Sequence, residues 1–122
     1  MNRTLIIGLV LISAGSVGLD AQEPMNLVNL VQRGDAYLTP GTLVPYSGPA
    51  FSVFPSDSNR IREQGTLRGG TWEGLYESFY FNGQVDSTIE YRDGEFDGSF
   101  ERYYFDGILL AKGSYSMGVR CG

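Results

Sequence analysis

The sequence predicts an all-β fold: an antiparallel meander of β-hairpin repeats forming one elongated, twisted sheet. Three observations carry that expectation. The run Trp72-Glu73-Gly74-Leu75-Tyr76-Glu77-Ser78-Phe79-Tyr80-Phe81-Asn82-Gly83 returns as Phe96-Asp97-Gly98-Ser99-Phe100-Glu101-Arg102-Tyr103-Tyr104-Phe105-Asp106-Gly107, 24 residues later. A fixed period of that size marks a repeat architecture. Asn82-Gly83 and Asp106-Gly107 are hairpin dipeptides, because a two-residue type I′ turn needs positive φ at both central positions. Between the turns the residues alternate. Val85, Ser87, Ile89 and Tyr91 oppose Asp86, Thr88, Glu90 and Arg92, the pattern of a strand with one buried and one wet face.

The chain opens on a leader. Met1-Asn2-Arg3 is basic, Thr4 to Gly15 is almost wholly apolar or small, and Leu19-Asp20-Ala21-Gln22 follows. That layout is a secretory signal peptide. The apolar run is too short for the roughly 20 residues that cross a bilayer. Residues 1–21 are expected to be removed by cleavage between Ala21 and Gln22, with Gly18 as the alternative site, leaving an exported chain in a periplasm, cell envelope or extracellular space. No cysteine follows the leader to take a lipid.

Residues 22–45 read as an exposed leader and an N-terminal cap on the first repeat. Leu27, Val28, Leu30 and Val31 form a brief apolar cluster, compatible with a helical turn or a short strand. Arg33-Gly34-Asp35 is the tripeptide that integrins read, but Gly-Asp is also ordinary turn chemistry. Ala36-Tyr37-Leu38 looks like a strand fragment, and Thr39-Pro40-Gly41 a turn.

Repeats are expected at 46–71, 72–95 and 96–119, with a fourth starting at 120–122. Between the first two copies the offset is 26 residues, Gly48 aligning with Gly74, and the two extra residues fall in the polar run Pro55-Ser56-Asp57-Ser58-Asn59, where a loop tolerates insertion. Arg92-Asp93-Gly94-Glu95 is a second turn type, closing one unit onto the next. Ile61, Glu63, Gly65 and Leu67 are expected to share one face of their strand. Gly74 and Gly98 weaken a strand by about 0.5–1 kcal/mol relative to alanine, so their recurrence suggests strand curvature or a ring packed on bare backbone. The chain stops at Arg120-Cys121-Gly122, where an aromatic-x-Gly start is due, and so reads as a fragment of a longer array.

The motif Gly74-x-Tyr76-x-x-Phe79-Tyr80-x-Asn82-Gly83, with its second copy Gly98-x-Phe100-x-x-Tyr103-Tyr104-x-Asp106-Gly107 and a weaker Gly48-x-Ala50-x-x-Val53-Phe54, resembles the MORN repeat in the variant form found in bacterial proteins. The resemblance covers residues 46–122. It implies an elongated β-hairpin array used in protein or lipid contact, and some bacterial relatives of this kind are labelled antitoxins.

Composition narrows the chemistry. The net charge of −5 is unchanged by loss of the leader, which carries one base, Arg3, and one acid, Asp20. An acidic surface repels nucleic-acid phosphates and anionic lipid. There is no histidine, hence neither the commonest general base nor the commonest zinc ligand. Ser52, Ser78 and Ser99 have no histidine to activate them. Cys121 is the only cysteine, so no internal disulfide forms. Glu90, Asp93, Glu95, Asp97 and Glu101 cluster, but without the ligand spacing of a calcium loop; they read as turns and a solvated face. No catalytic residue, metal or cofactor is expected.

The aromatic residues remain. Under strict alternation Phe79, Phe81, Tyr103 and Phe105 project opposite Trp72 and Tyr80, as a strip that is either core or a binding surface. The sequence therefore points to an exported, non-enzymatic module that binds a protein partner through that strip. The alternatives are an envelope-associated structural protein touching lipid or wall polymer, and, more remotely, a carboxylate-dependent hydrolase.

Overall fold

A computed structural model describes residues 22–120. The expected signal peptide over 1–21, its cleavage residue Ala21, and Cys121 with Gly122 lie outside the described residues. The described chain is almost all β. Strands β1 (Met25–Asn26), β2 (Val31–Arg33), β3 (Ala36–Leu38), β4 (Gly48–Phe54), β5 (Asp57–Arg68), β6 (Thr71–Phe79), β7 (Val85–Arg92), β8 (Glu95–Tyr103), β9 (Leu109–Ser116) and β10 (Val119–Arg120) follow one another, with a single 3-10 turn at Leu27–Asn29.

From β4 to β10 every strand pairs antiparallel with its neighbour in sequence. Short turns leave the chain no other choice. The exception is β1, which joins the outer edge of β4 in parallel, Met25 opposite Ala50. The small hairpin β2–β3 forms a separate sheet. Leu27, Leu30, Tyr46, Ala50 and Leu67 are buried together, with Met25, Tyr37 and Trp72 packed against them. The dense apolar core thus sits at the N-terminal end of the sheet, under residues that precede β4.

The turns divide into two kinds, and not as the dipeptides suggested. Asn82 and Asp106 do not adopt positive φ; only Gly83 (91°) and Gly107 (92°) do. The Gly83 N–H donates to Tyr80 O at 2.9 Å, and the Tyr80 N–H to Gln84 O at 2.8 Å. These are three-residue loops, a turn followed by a left-handed glycine. The side chains explain the change: Asn82 Oδ1 accepts from the Gln84 N–H at 2.9 Å and Asp106 Oδ1 from the Ile108 N–H at 3.1 Å, the local bond Asx residues favour. The two-residue turns with positive φ at both positions are Gly69-Gly70 (60° and 89°), Asp93-Gly94 (52° and 84°) and Met117-Gly118 (53° and 85°).

A single extra residue breaks strict alternation in each of the β4–β5, β6–β7 and β8–β9 pairs, and the register also shifts at Val53/Phe54, Gln64/Thr66 and Ile89/Tyr91. Ser52 faces Glu63 but Val53 faces Ile61; Ser78 faces Ser87 but Phe79 faces Val85; Arg102 faces Ala111 but Tyr103 faces Leu109. The extra residue is Arg62, Asp86 or Leu110, and a bulge of this kind switches the faces of what lies beyond it. Val85 therefore parts from Ser87, Ile89 and Tyr91 and joins Thr88 and Tyr103. Ile61 parts from Glu63 and Leu67 and joins Phe51, Thr66 and Leu75.

The expected insertion is not a loop. The β4–β5 turn is only Pro55-Ser56, since Phe54 faces Asp57. The surplus is carried inside β5, between Asp57 and Ile61, where the register slips. Gly74, at φ 81°, has nothing within 4 Å of the place a Cβ would take; it lies in the β5–β6 register slip between Glu73 and Glu77, where a left-handed glycine suits a bulge. The ring-on-backbone contact lies instead at Gly65, where a Cβ would meet the Trp72 ring at 3.0 Å.

Candidate functional site

Register puts Trp72 beside Leu67, Tyr76 beside Ile89, Phe96 beside Tyr91 and Phe100 beside Ile89 on one face of the sheet. Tyr37, Trp72, Tyr76, Tyr91, Phe96 and Tyr115 make an edge-to-face chain across it, with centroid steps of 6.3, 5.1, 5.6, 5.1 and 4.9 Å. Each such pair is worth about 0.5–1.5 kcal/mol beyond the area it buries. Past the core, the rings take over the work of holding successive strands.

A carboxylate is set into this ring face. Glu63 retains 17% side-chain exposure. Its Oε2 accepts from the Ser52 hydroxyl at 2.7 Å and its Oε1 from the Tyr76 hydroxyl at 2.8 Å, while Arg62 Nη2 lies 3.6 Å away. Burial, then the bond to Glu63 and its charge, push the Tyr76 phenol far above its ordinary range. Burial and the same charge raise Tyr37 and Tyr91. Sequence reasoning passed over Glu63. The available signal was a charge at an inward position of an otherwise apolar stripe.

The four residues singled out as a strip separate into two pairs. Phe79 and Tyr103 end β6 and β8, half-buried, each facing a residue across a bulge. The Tyr103 hydroxyl donates to Glu101 Oε1 at 2.6 Å, which raises its pKa. Phe81 and Phe105 lie beyond the strands, in the three-residue loops, so alternation does not govern them. They are 47% and 67% exposed. Phe81 packs edge-on against Phe54 at 5.3 Å, beneath the Arg60 guanidinium at 4.5 Å. The Arg60 Nη1 and Asn82 Nδ2 groups donate to Phe81 O (2.8 Å) and Phe105 O (2.9 Å), tying the loops to one another.

The acidic run Glu90 to Glu101 is dispersed into structural bonds. Glu90 Oε1 accepts from the Ser99 N–H at 3.1 Å, Asp97 from the Met117 N–H at 3.1 Å, and Asp93 lies 3.6 Å from Arg68. Among the described residues no three His, Cys, Asp or Glu side chains converge as metal ligands would. No helix among them is long and apolar enough to cross a membrane. Comparison with protein-family models, with curated proteins and with solved structures finds no match.

Proposed function

We propose that the chain is an exported, non-enzymatic module of MORN-like β-hairpin repeats, 24 residues in period, that binds a protein partner through the exposed rings of its hairpin loops. The antitoxin-like label follows from the resemblance alone. One observation carries the reading: Phe105 stands 67% exposed on a loop whose backbone is pinned by Asn82, with Phe81, Tyr104 and Ile108 also exposed in the same pair of loops. Large rings held rigidly in solvent are the anchors that protein interfaces use, because little side-chain entropy is lost on docking.

The test is a capture experiment with envelope proteins, comparing the chain with its Phe81→Ala/Phe105→Ala variant and checking the fold of both by circular dichroism. A protein retained by the first and lost by the folded variant supports the reading. Retention unchanged in the variant removes the loops from the interface. Co-sedimentation with neutral or anionic vesicles, lost in the variant, supports lipid contact instead. Turnover of a generic glycoside or ester, lost in Glu63→Gln, revives the hydrolase reading.

A further inference from the structure

Two hollows on the ring face, of about 410 and 430 Å³, share a wall formed by Tyr76 and Asp86. Together they make one trough crossing the sheet from Phe54 on β4 to Tyr115 on β9. Its charged lining is balanced, Arg62 and Arg102 against Glu63 and Asp86, in a chain whose net charge is −5. Donors and acceptors are interleaved. The Ser78 and Ser87 hydroxyls stand 2.7 Å apart, and the Tyr80 hydroxyl donates to Tyr103 O at 2.6 Å. Tyr76, Tyr91, Phe96 and Tyr115 supply aromatic walls.

These features select among ligands. A charged polymer finds no net attraction in a balanced trough. A lipid tail would take the charged lining out of water and offer it no hydrogen bonds, which is costly. An extended peptide would lie on a sheet face whose backbone groups are already engaged in the ladders of β6 to β9, so strand addition, the usual source of peptide affinity on a sheet, is unavailable there. A neutral sugar chain offers groups that this lining can meet: hydroxyls that both donate and accept, and apolar ring faces to lie on aromatic walls. Spacing agrees. Tyr91 and Tyr115 stand on alternate strands, β7 and β9, about 10 Å apart by two strand spacings. Phe96 sits between them, with ring steps of 5.1 and 4.9 Å. Two β-1,4-linked hexoses advance by a similar length and then present the same ring face again.

We propose that this trough binds a neutral β-1,4-linked glycan laid across the strands, its sugars stacked on Tyr91 and Tyr115 and its hydroxyls bonded by Asp86 and Arg102. Of the loop rings proposed to dock a protein, Phe81 also borders the trough and Phe105 does not, so Phe105 separates the two proposals.

The experiment is calorimetric titration of the chain with cellohexaose and chitohexaose, with the α-linked maltohexaose as control. Saturable binding to a β-linked hexamer is expected, weakened at least tenfold by Asp86→Asn or Arg102→Met, a loss on the scale of one charge-assisted hydrogen bond. It should be unchanged in Phe105→Ala, whose ring lines neither hollow. Tyrosine difference absorbance of the unmutated chain should shift as the sugar binds, a readout independent of any variant. Absence of binding to both β-linked hexamers overturns the proposal. So does equal binding of maltohexaose, or undiminished affinity in folded Asp86→Asn and Arg102→Met. Binding of an unfolded polypeptide, reduced α-lactalbumin, in competition at the same site would show a peptide groove in its place.

Discussion

The carboxylate of Glu73 accepts a hydrogen bond from the backbone N–H of Asp93 at 2.9 Å. Asp97 does the same for Met117 at 3.1 Å, and the Ser47 hydroxyl for Gly69 at 2.9 Å. In each case the residue just before the clamp also takes part. The carbonyls of Tyr46, Trp72 and Phe96 accept from the N–H groups of Gly70 (2.9 Å), Gly94 (3.0 Å) and Gly118 (2.6 Å). Each two-residue turn is thus held twice by two consecutive residues one unit earlier: Tyr46-Ser47 just before β4, Trp72-Glu73 in β6 and Phe96-Asp97 in β8.

Removing a clamp leaves a turn N–H to water, not buried, so the loss is a cap's worth of stability. Glu73→Ala and Asp97→Ala are each expected to cost about 1 kcal/mol, with Glu73→Gln costing less because its amide oxygen still accepts. Urea denaturation measures this. Midpoints unchanged in both alanine variants would show that the clamps contribute nothing.

Met117 occupies the position of Asp93 in its turn, at φ 53°. A left-handed conformation costs an ordinary side chain about 1–2 kcal/mol, and Asn tolerates it better. Met117→Asn is therefore expected to stabilise the last hairpin by about 0.5–1 kcal/mol. Gly94→Ala should do the opposite, since φ is 84° and a Cβ would meet the Thr71 Cβ at 3.2 Å. Proteolysis of the last hairpin and the denaturation midpoint should move together; a lowered midpoint for Met117→Asn would contradict the turn geometry.

Five phenols, Tyr37, Tyr46, Tyr76, Tyr80 and Tyr91, are raised above the ordinary value of 10.0 with burial the largest cause in each. A raised pKa means the folded chain holds the proton more tightly than the unfolded chain. That stability is fully present below about pH 10 and is lost as pH climbs from there through the folded-state values. Urea midpoints should hold below about pH 9 and fall above about pH 10. The fall should be shallower in Tyr76→Phe. An equal slope in that variant would show that the phenol between Glu63 and the trough does not titrate with unfolding.

The sequence made the strands and their order legible, because turn dipeptides and the doubled aromatic run leave little freedom. It was less informative about the turns themselves. Asn82-Gly83 and Asp106-Gly107 carry the hairpin signal, yet their Asx side chains bond forward and leave only the glycine left-handed. Met117-Gly118 carries a weak signal and forms the tighter turn, because its register is imposed by the strands it joins.

Phe81 and Phe105 were visible as surplus aromatics, and the structure leaves them 47% and 67% exposed. Glu63 and Asp86 were not recognised. Glu63 was hidden by its place in an apolar alternation, and Asp86 by a bulge that sequence alternation cannot register.

By itself the sequence determined a β-meander with an acidic surface and no histidine, since local turn chemistry and composition depend on no distant partner. The tertiary structure decided which residues share a face. That assignment depends on the pairing of adjacent strands, where one extra residue, Arg62, Asp86 or Leu110, reverses the side on which everything beyond it stands.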